Sequence, residues 1–197
     1  MDRMLGFEPS GVGSIPAGPA NNKMKQKYID LYMDWAARTA DLSHARRLQV
    51  GAVIVKDDSV ISYGYNGMPA GWDNNCEDKV WDKGAGGWLD PDEIIAKYPY
   101  EGWHEGAQRN VRYGLKTKPE VLHAERNALD KLARRGGVGS KDSSLFTTHA
   151  PCLECAKSIY GAGVKEVFYN QDYRSDDGVY FLKKCGIKIE KISRDNK

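Results

Sequence analysis

The chain has 197 residues, of which 28% are charged, and a formal net charge of +2. This length suits one domain with a substantial core, and the balanced charge argues against a dedicated surface for duplex nucleic acid. No long apolar run or signal-peptide pattern predicts membrane insertion or secretion, and four cysteines, two of them in the metal-binding pattern described below, predict a cytoplasmic location.

The first predicted elements are a leader, a helix and a hairpin. Residues 1–23 are rich in glycine, proline and asparagine and are predicted to form a flexible leader, either native or left over from cloning. Apolar residues recur at helical spacing over 24–42 and predict an amphipathic helix. Two β-rich runs, 50–55 and 59–65, meet at Lys56-Asp57-Asp58 and predict an antiparallel hairpin.

An insertion is predicted over about 77–122. This segment is too long for an ordinary connection, so we expect it to have structure or function of its own. It carries six aromatic residues, namely Trp81, Trp88, Tyr98, Tyr100, Trp103 and Tyr113. Aromatic residues at this density more often pack against something than remain solvated. Core packing and subunit contact are both open roles for them.

Helices and strands alternate in the second half of the chain. The predicted elements are a helix after His123, a strand at 145–148, a helix from Cys152 to Gly161 or Gly163, a strand at 166–169, a helix near 176–185 and a strand at 187–192. Strand–helix–strand units favour parallel pairing, whereas the hairpin supplies an antiparallel pair. We therefore predict the α/β class: a three-layer α/β/α domain over 24–192 with a five-stranded mixed sheet, followed by a tail at 193–197.

His123-Ala-Glu125 and Pro151-Cys152-Leu-Glu-Cys155 carry the chemistry. Cysteines three apart at the first turn of a helix bring both sulfurs to one ion. The positive end of a helix lowers thiol pKa and favours the two thiolates. A catalytic zinc site uses three imidazole or thiolate ligands and leaves the fourth position to water. The sequence therefore predicts one catalytic Zn²⁺ held by His123, Cys152 and Cys155.

Glu125 is left without a ligand role. Residues two apart do not share a helix face, so His123 and Glu125 can converge only if His123 lies at the helix start. Zinc lowers the pKa of bound water to about 7, which makes hydroxide available to attack the substrate. Glu125 is then predicted to be the catalytic proton shuttle. This order of residues is the signature of zinc deaminases that act on cytosine or adenine.

The cysteine pair is also compatible with non-catalytic sites, because Cys-x-x-Cys alone occurs in redox pairs and in structural zinc sites. A structural site would need a fourth ligand, and the nearest candidate is His149. That residue fits better at the end of a strand beside the site. With His-x-Glu, the proline and both cysteines in the right order, the catalytic site is favoured.

Three further segments extend the pattern: Gln49–Val55, Gly64-Tyr-Asn-Gly67 and Tyr173-Arg174-x-x-x-Gly178. With them, nearly all of 24–192 resembles the phage and bacterial deoxycytidylate (dCMP) deaminases of the zinc-dependent cytidine and deoxycytidylate deaminase superfamily. The resemblance implies a cytidine deaminase-like fold. It also implies attack at C4 of dCMP, giving ammonia and dUMP for thymidylate synthesis, in the host cytoplasm if the chain is phage-encoded.

The resemblance implies contacts to the base and the sugar. Asn66 would contact the sugar, since its carboxamide can donate and accept, although a turn asparagine kept for its backbone is the alternative. Ala124 would place its backbone beside the ring. Tyr173 would close over the nucleotide.

A phosphate site is implied as well. Arg174 follows the closing tyrosine and can pair with a phosphate through a planar fork of donors. Arg46 and Arg47 stand before the first strand, where related enzymes also carry basic residues. One of these two would reach the 5′-phosphate, and the sequence does not order them.

A second, structural zinc is expected to be absent. Some larger phage members bind one with cysteines before the first strand and histidines before His-x-Glu. Here His44, Ala45 and Arg46 stand in place of the cysteine pair. Cys76 matches another family cysteine, and His104 falls in the insertion at a different spacing. A small unliganded cysteine and a surface histidine are the alternatives for these two residues.

Regulation and assembly follow from the resemblance alone. Long forms of the family are activated by dCTP and inhibited by dTTP, and homohexamers are common. Arg134 and Arg135 are candidates for an effector site or a subunit interface. They could equally be cations favoured by a helix C-terminus. The aromatic insertion could contribute to the same regulatory site.

Three rival functions share the zinc pattern. A free-nucleoside cytidine deaminase has no need for Arg174. Deaminases of tRNA adenosine or of single-stranded DNA use a basic channel or a stacking platform, which the modest net charge disfavours. A non-catalytic zinc or nucleotide-binding module has no use for the carboxylate of Glu125.

Overall fold

The computed structural model describes residues 24–82 and 90–193. Within that part the helices are α1 (Gln26–Ala40), α2 (Pro91–Lys97), α3 (Ala124–Arg135), α4 (Leu153–Gly161) and α5 (Asp177–Lys184). The strands are β1 (Gly51–Lys56), β2 (Ser59–Tyr65), β3 (Glu77–Trp81), β4 (Tyr100–His104), β5 (Arg109–Thr117), β6 (Ser144–His149), β7 (Glu166–Gln171) and β8 (Lys188–Lys191).

A five-stranded mixed sheet in the order β2-β1-β6-β7-β8 forms the centre of the fold. β1 pairs antiparallel with β2 and with β6, whereas β6–β7 and β7–β8 are parallel. Asp57 and Asp58 connect the hairpin with φ values of 49° and 56°, the backbone of a tight turn that matches strand twist. The predicted α/β fold with a mixed five-stranded sheet is confirmed.

The core lies on both faces of this sheet, because the side chains of a strand alternate between faces. On one face Val53 and Val55 of β1 pack with α1 and with Phe146 and Phe168, whose rings stack at 4.9 Å. On the other face Ala52 and Ile54 pack against the apolar sides of α3, α4 and α5, including Ala128, Ile159 and Leu182. Helices therefore cover both faces, as predicted.

The insertion forms a small antiparallel sheet in the order β3-β5-β4, with α2 before β4. Tyr113 is buried at its centre, with its ring centroid 5.0 Å from that of Trp81 and 5.4 Å from that of Tyr100. These aromatic residues pack mainly against one another, whereas Trp103 is 58% exposed. Packing within the chain therefore accounts for most of them, and Trp88 lies outside the described residues.

The predicted leader also lies outside the described residues, as does all of the tail after residue 193. Within the described ranges, none of the helices is both long enough and apolar enough to cross a membrane.

Candidate active site

The ends of two helices bring the zinc motif together. His123 is the N-cap of α3, with an extended backbone at φ −74° and ψ 151°. Cys152 is the N-cap of α4, and Cys155 lies in the first turn of that helix. Because β6 leads directly into Pro151, the central sheet fixes where α4 begins. Both motifs thus lie at helix starts, as predicted.

His123, Cys152 and Cys155 form a compact group whose potential ligand atoms all lie within 4.8 Å of one another. Nδ1 of His123 is 3.5 Å from Sγ of Cys152 and 3.3 Å from Sγ of Cys155. Tetrahedral zinc with ordinary bond lengths separates a ligating nitrogen and sulfur by roughly 3.6 Å. The donor set and its spacing therefore fit a zinc ion.

The two thiols share their protons unequally. A hydrogen bond with Cys155 lowers the pKa of Cys152 to about 3, whereas that hydrogen bond and burial raise the pKa of Cys155. The lowered pKa of Cys152 favours its thiolate, and two adjacent thiolates would repel each other unless a cation lay between them. Metal binding would displace the remaining proton from Cys155.

Glu125 lies beside the cysteines and is only 4% exposed. Its Oε2 accepts a hydrogen bond from Sγ of Cys155 at 3.6 Å. Burial raises the pKa of the Glu125 carboxyl, because desolvation disfavours the charged form. The group can thus hold or release a proton next to the cluster.

Two glycines, Gly64 and Gly178, let backbones approach closely around the cluster. A Cβ on Gly64 would overlap the carbonyl oxygen of Ala124, so β2 lies directly against the first turn of α3. A Cβ on Gly178 would overlap the carbonyl oxygen of Pro151 and lie 2.9 Å from backbone atoms of Cys152. Both glycines belong to the sequence segments that resemble the deaminases, but their packing role was not predicted.

A cavity of about 330 Å³ opens from this cluster. Its wall includes His123, Ala124, Glu125 and Cys152 as well as Arg47, Tyr173 and Arg174. Arg174 lies over the ring of Tyr173, with its guanidinium carbon 5.3 Å from the ring centroid. Neither Arg47 nor Arg174 forms an ion pair with the other described residues. Two guanidinium groups without an ion pair among the described residues therefore border the cavity.

Arg46 and Arg47 have different surroundings. Arg47 lines the cavity, whereas Arg46 is absent from its wall. The guanidinium of Arg46 lies over the ring of Tyr100 in the small sheet, 5.1 Å from the centroid. The structure therefore distinguishes two neighbouring arginines that the sequence left equivalent.

Asn66 lines the cavity but already makes two hydrogen bonds to backbone. Its Oδ1 accepts from the amide of Val50 at 2.8 Å, and its Nδ2 donates to the carbonyl of Leu48 at 2.8 Å. The side chain of Asn66 therefore holds the start of β1, a role that was not predicted from the sequence. One N–H and one lone pair of the carboxamide remain for a ligand, so Asn66 can still donate to or accept from a sugar hydroxyl.

The comparison with known proteins agrees with this site. A family model of the cytidine and deoxycytidylate deaminase zinc-binding region matches residues 26–171. The chain belongs to this family. It is 31% identical to the deoxycytidylate deaminase of enterobacteria phage T4, over 75% of this chain and 81% of that enzyme. It is also 31% identical to ComE operon protein 2 of Bacillus subtilis, over 76% of this chain.

A solved structure is similar in both sequence and fold. The dCMP deaminase of cyanophage S-TIM5, in complex with dCMP and dUMP, is 33% identical. The match has a TM-score of 0.64 and covers 86% of this chain and all of that one. The chain spans 62% of the length of ComE operon protein 2.

Cys76 and His104 do not meet in a metal-binding group within the described ranges. Cys76 is fully buried, and its Sγ donates to the carbonyl of Asn74 at 3.4 Å. The His104 ring packs edge-on against Trp81, and its Nδ1 accepts from the amide of Ala107. Each thus has a hydrogen-bond partner within the described part of the chain.

Arg134 and Arg135 are exposed in the last turn of α3. The twelve residues of this helix place them about 18 Å from the end that carries His123. They neighbour Lys131, whose ammonium group lies over the rings of Tyr63 and Tyr65. This basic and aromatic patch is separate from the cavity.

Glu77, Thr117 and Asp172 are among the cavity residues that were not predicted as site residues. Asp172 is paired with Lys191. Glu77 and Thr117 are register partners at the base of the small sheet. No local motif marks this pair, because the two residues are far apart in sequence and meet only when the insertion folds. His149 also lines the cavity, but it is not part of the ligand cluster.

Proposed function

We propose that this chain is a dCMP deaminase, converting dCMP and water to dUMP and ammonia. One observation carries the proposal: a zinc-ligand cluster with a buried carboxylate shares a cavity with two guanidinium groups that have no ion-pair partner among the described residues. The zinc-ligand cluster and the buried carboxylate suit deamination, and the two guanidinium groups suit the binding of a phosphate. The T4 relative and the S-TIM5 structure, named for this reaction, support the substrate.

His123, Cys152 and Cys155 would hold one zinc ion. When bound there, zinc supplies Lewis acidity that makes water a nucleophile at neutral pH. The chain's own residues orient the ion through two helix starts and exclude bulk water around Glu125, which is almost fully buried.

Glu125 would move the protons. A new C–O bond forms at C4 as the attacking water gives its proton to the carboxylate, which passes it to the ring nitrogen. The same carboxylate then moves the proton of the new C4 hydroxyl to the amino group, so that the C4 carbonyl forms, the C–N bond breaks and ammonia leaves. A carboxyl whose pKa is raised by burial is suited to alternating between acid and base.

Arg47, Arg174 and Tyr173 would hold the nucleotide within the cavity. Guanidinium groups match phosphate oxygens with paired donors. We assign the 5′-phosphate to Arg47 rather than Arg46, because only Arg47 lines the cavity. Ala124 is fully buried in the wall beside Glu125, which suits its backbone to a place beside the ring.

Effector control by dCTP and dTTP and a hexameric assembly stay predictions. The patch around Arg134 and Arg135 is exposed and basic, and its distance from the cavity suits a second anion site. Sedimentation of the purified chain measures its assembly, and the rate of dCMP turnover with and without each effector measures its control.

A substrate panel tests the function. Ammonia release is measured with dCMP, CMP, deoxycytidine, 5-methyl-dCMP and a cytosine-containing oligonucleotide, each with and without dCTP and dTTP. We expect dCMP to react far faster than deoxycytidine. Equal turnover of the nucleoside would contradict the phosphate assignment, and efficient reaction of the oligonucleotide would contradict a mononucleotide substrate. Zinc per chain is measured on the same sample.

A further inference from the structure

Glu77 combines burial with an incomplete set of hydrogen bonds. The residue is 3% exposed at the first position of β3. Its Oε1 accepts from the backbone amides of Arg46 and Arg47 at 3.0 and 3.2 Å. Its Oε2 is buried and has no hydrogen-bond partner among the described residues. A buried carboxylate oxygen without a donor is costly, and such groups concentrate at functional sites.

The position of Glu77 connects it to the nucleotide. It lines the same cavity as the zinc-ligand cluster, Arg47 and Asn66. Through Oε1 it holds the segment that carries Arg47, so it lies near the proposed phosphate end. Asn66 is tied to Leu48 and Val50 in the same stretch of chain. The carboxylate thus shares a cavity wall with the proposed phosphate ligand Arg47 and with the zinc-ligand residues.

The chemistry of the missing partner can be deduced from the acceptor. A carboxylate oxygen needs a donor, and it repels a phosphate. The ring carbonyl of cytosine is an acceptor, and the amino group must lie beside Glu125 to react. The remaining donors of a pyrimidine nucleotide are sugar hydroxyls, and a 2′-deoxynucleotide 5′-monophosphate has only the one at 3′.

We propose that Oε2 of Glu77 accepts a hydrogen bond from the 3′-hydroxyl of the substrate sugar. This assignment rests on the proposed function. One side chain then fixes the sugar with one oxygen and the Arg46–Arg47 backbone with the other. The Glu77 carboxylate would thus couple recognition of the sugar to recognition of the phosphate. Because Glu77 begins β3, the small sheet would contribute directly to substrate selection.

The test compares dCMP with 2′,3′-dideoxycytidine 5′-monophosphate, which lacks only the 3′-hydroxyl. Both are assayed for kcat/KM, and their unreactive products dUMP and 2′,3′-dideoxyuridine 5′-monophosphate are titrated by calorimetry for Kd, so this second comparison does not depend on turnover. The proteins are wild type, Glu77→Gln and Glu77→Ala. Asp78→Asn is the matched control, because Asp78 is an exposed carboxylate on the same strand. Zinc content and circular dichroism verify folding.

We expect wild type to prefer dCMP about ten- to a hundredfold, the value of a hydrogen bond to a charged group. Glu77→Ala should abolish most of that preference and Glu77→Gln should reduce it, while Asp78→Asn keeps it. A purely structural Glu77 would weaken both nucleotides by the same factor, and an unchanged preference overturns the proposal. Failure of wild type to deaminate dCMP would instead refute the proposed function, while the two Kd values still decide the role of Glu77.

Discussion

Gly178 lies directly against the peptide that carries Cys152: a Cβ on Gly178 would be 2.9 Å from the carbonyl carbon and oxygen of that cysteine and would overlap the oxygen of Pro151. The start of α5 therefore sets the position of one proposed zinc ligand. Any residue other than glycine at position 178 would place a Cβ against these backbone atoms and prevent the close approach.

Gly178→Ala should consequently displace α5 or the Cys152 backbone. We expect the free energy of unfolding to fall by about 1–3 kcal/mol, the usual cost of overpacking, and zinc content and kcat to fall with it. Denaturant titration and metal analysis measure these effects. Gly161→Ala is the control, since a Cβ there meets nothing within 4 Å. Full zinc occupancy and activity in Gly178→Ala would contradict the role of this contact.

Arg47→Ala and Arg174→Ala should each raise KM for dCMP about tenfold or more, because each removes charge-assisted hydrogen bonds to phosphate. KM for deoxycytidine should change little. Arg46→Ala provides the neighbouring control, since Arg46 lies over Tyr100 instead of lining the cavity. Steady-state kinetics with both substrates separates the cases, and an equal loss with nucleotide and nucleoside would argue against a phosphate site.

Glu125→Gln should retain zinc and lose kcat by about 10²- to 10⁴-fold, the range for removal of a general acid–base group. The amide has nearly the same shape but cannot carry the proton. Glu154→Gln is a suitable comparison, because Glu154 is exposed in the first turn of α4 and pairs with Lys157. Substantial turnover by zinc-loaded Glu125→Gln would exclude the proton-shuttle role.

His149 should make folding stability depend on pH. Burial lowers its pKa below the ordinary value of 6.5. Between the folded and unfolded pKa values the unfolded chain binds more protons, so the contribution of His149 is complete above about pH 7 and is lost as pH falls through the folded pKa. The difference in unfolding free energy between wild type and His149→Gln should therefore change from about pH 8 to about pH 5. A difference that stays constant over this pH range would contradict the role of His149.

Periodicity was sufficient to predict the fold because each element carries its own local signal. The run 50–55 forms a strand buried on both faces, the helices after His123 and Cys152 begin at recognisable starts, and Gly161 ends α4. The small sheet could not be predicted as a sheet, since its pairing joins β3 to β5 across a long gap in sequence. In the insertion, the density of aromatic residues indicated that they pack, but it did not indicate which residues they contact.

Some residues of the candidate site could likewise be predicted from local motifs, whereas others could not. His123, Glu125, Cys152 and Cys155 could be found from short spacing, because two helix starts bring them together. The difference between Arg46 and Arg47 depends on where Tyr100 lies, and the cavity position of Glu77 depends on the folded insertion. Contacts between distant segments have no local pattern, so these required the structure.

Gly51, Gly64 and Gly178 suggest how substitution will be tolerated across this chain. Each sits where a side chain would overlap backbone atoms of a helix or of a segment leading into one: Gly51 against α1, Gly64 against α3 and Gly178 against Pro151. In a saturation mutagenesis library, these three positions should be depleted about as strongly as the metal-ligand positions. Glycines that contact no substrate would then appear as essential as the metal ligands. Fitness data alone would not distinguish residues required for close backbone packing from residues required for catalysis.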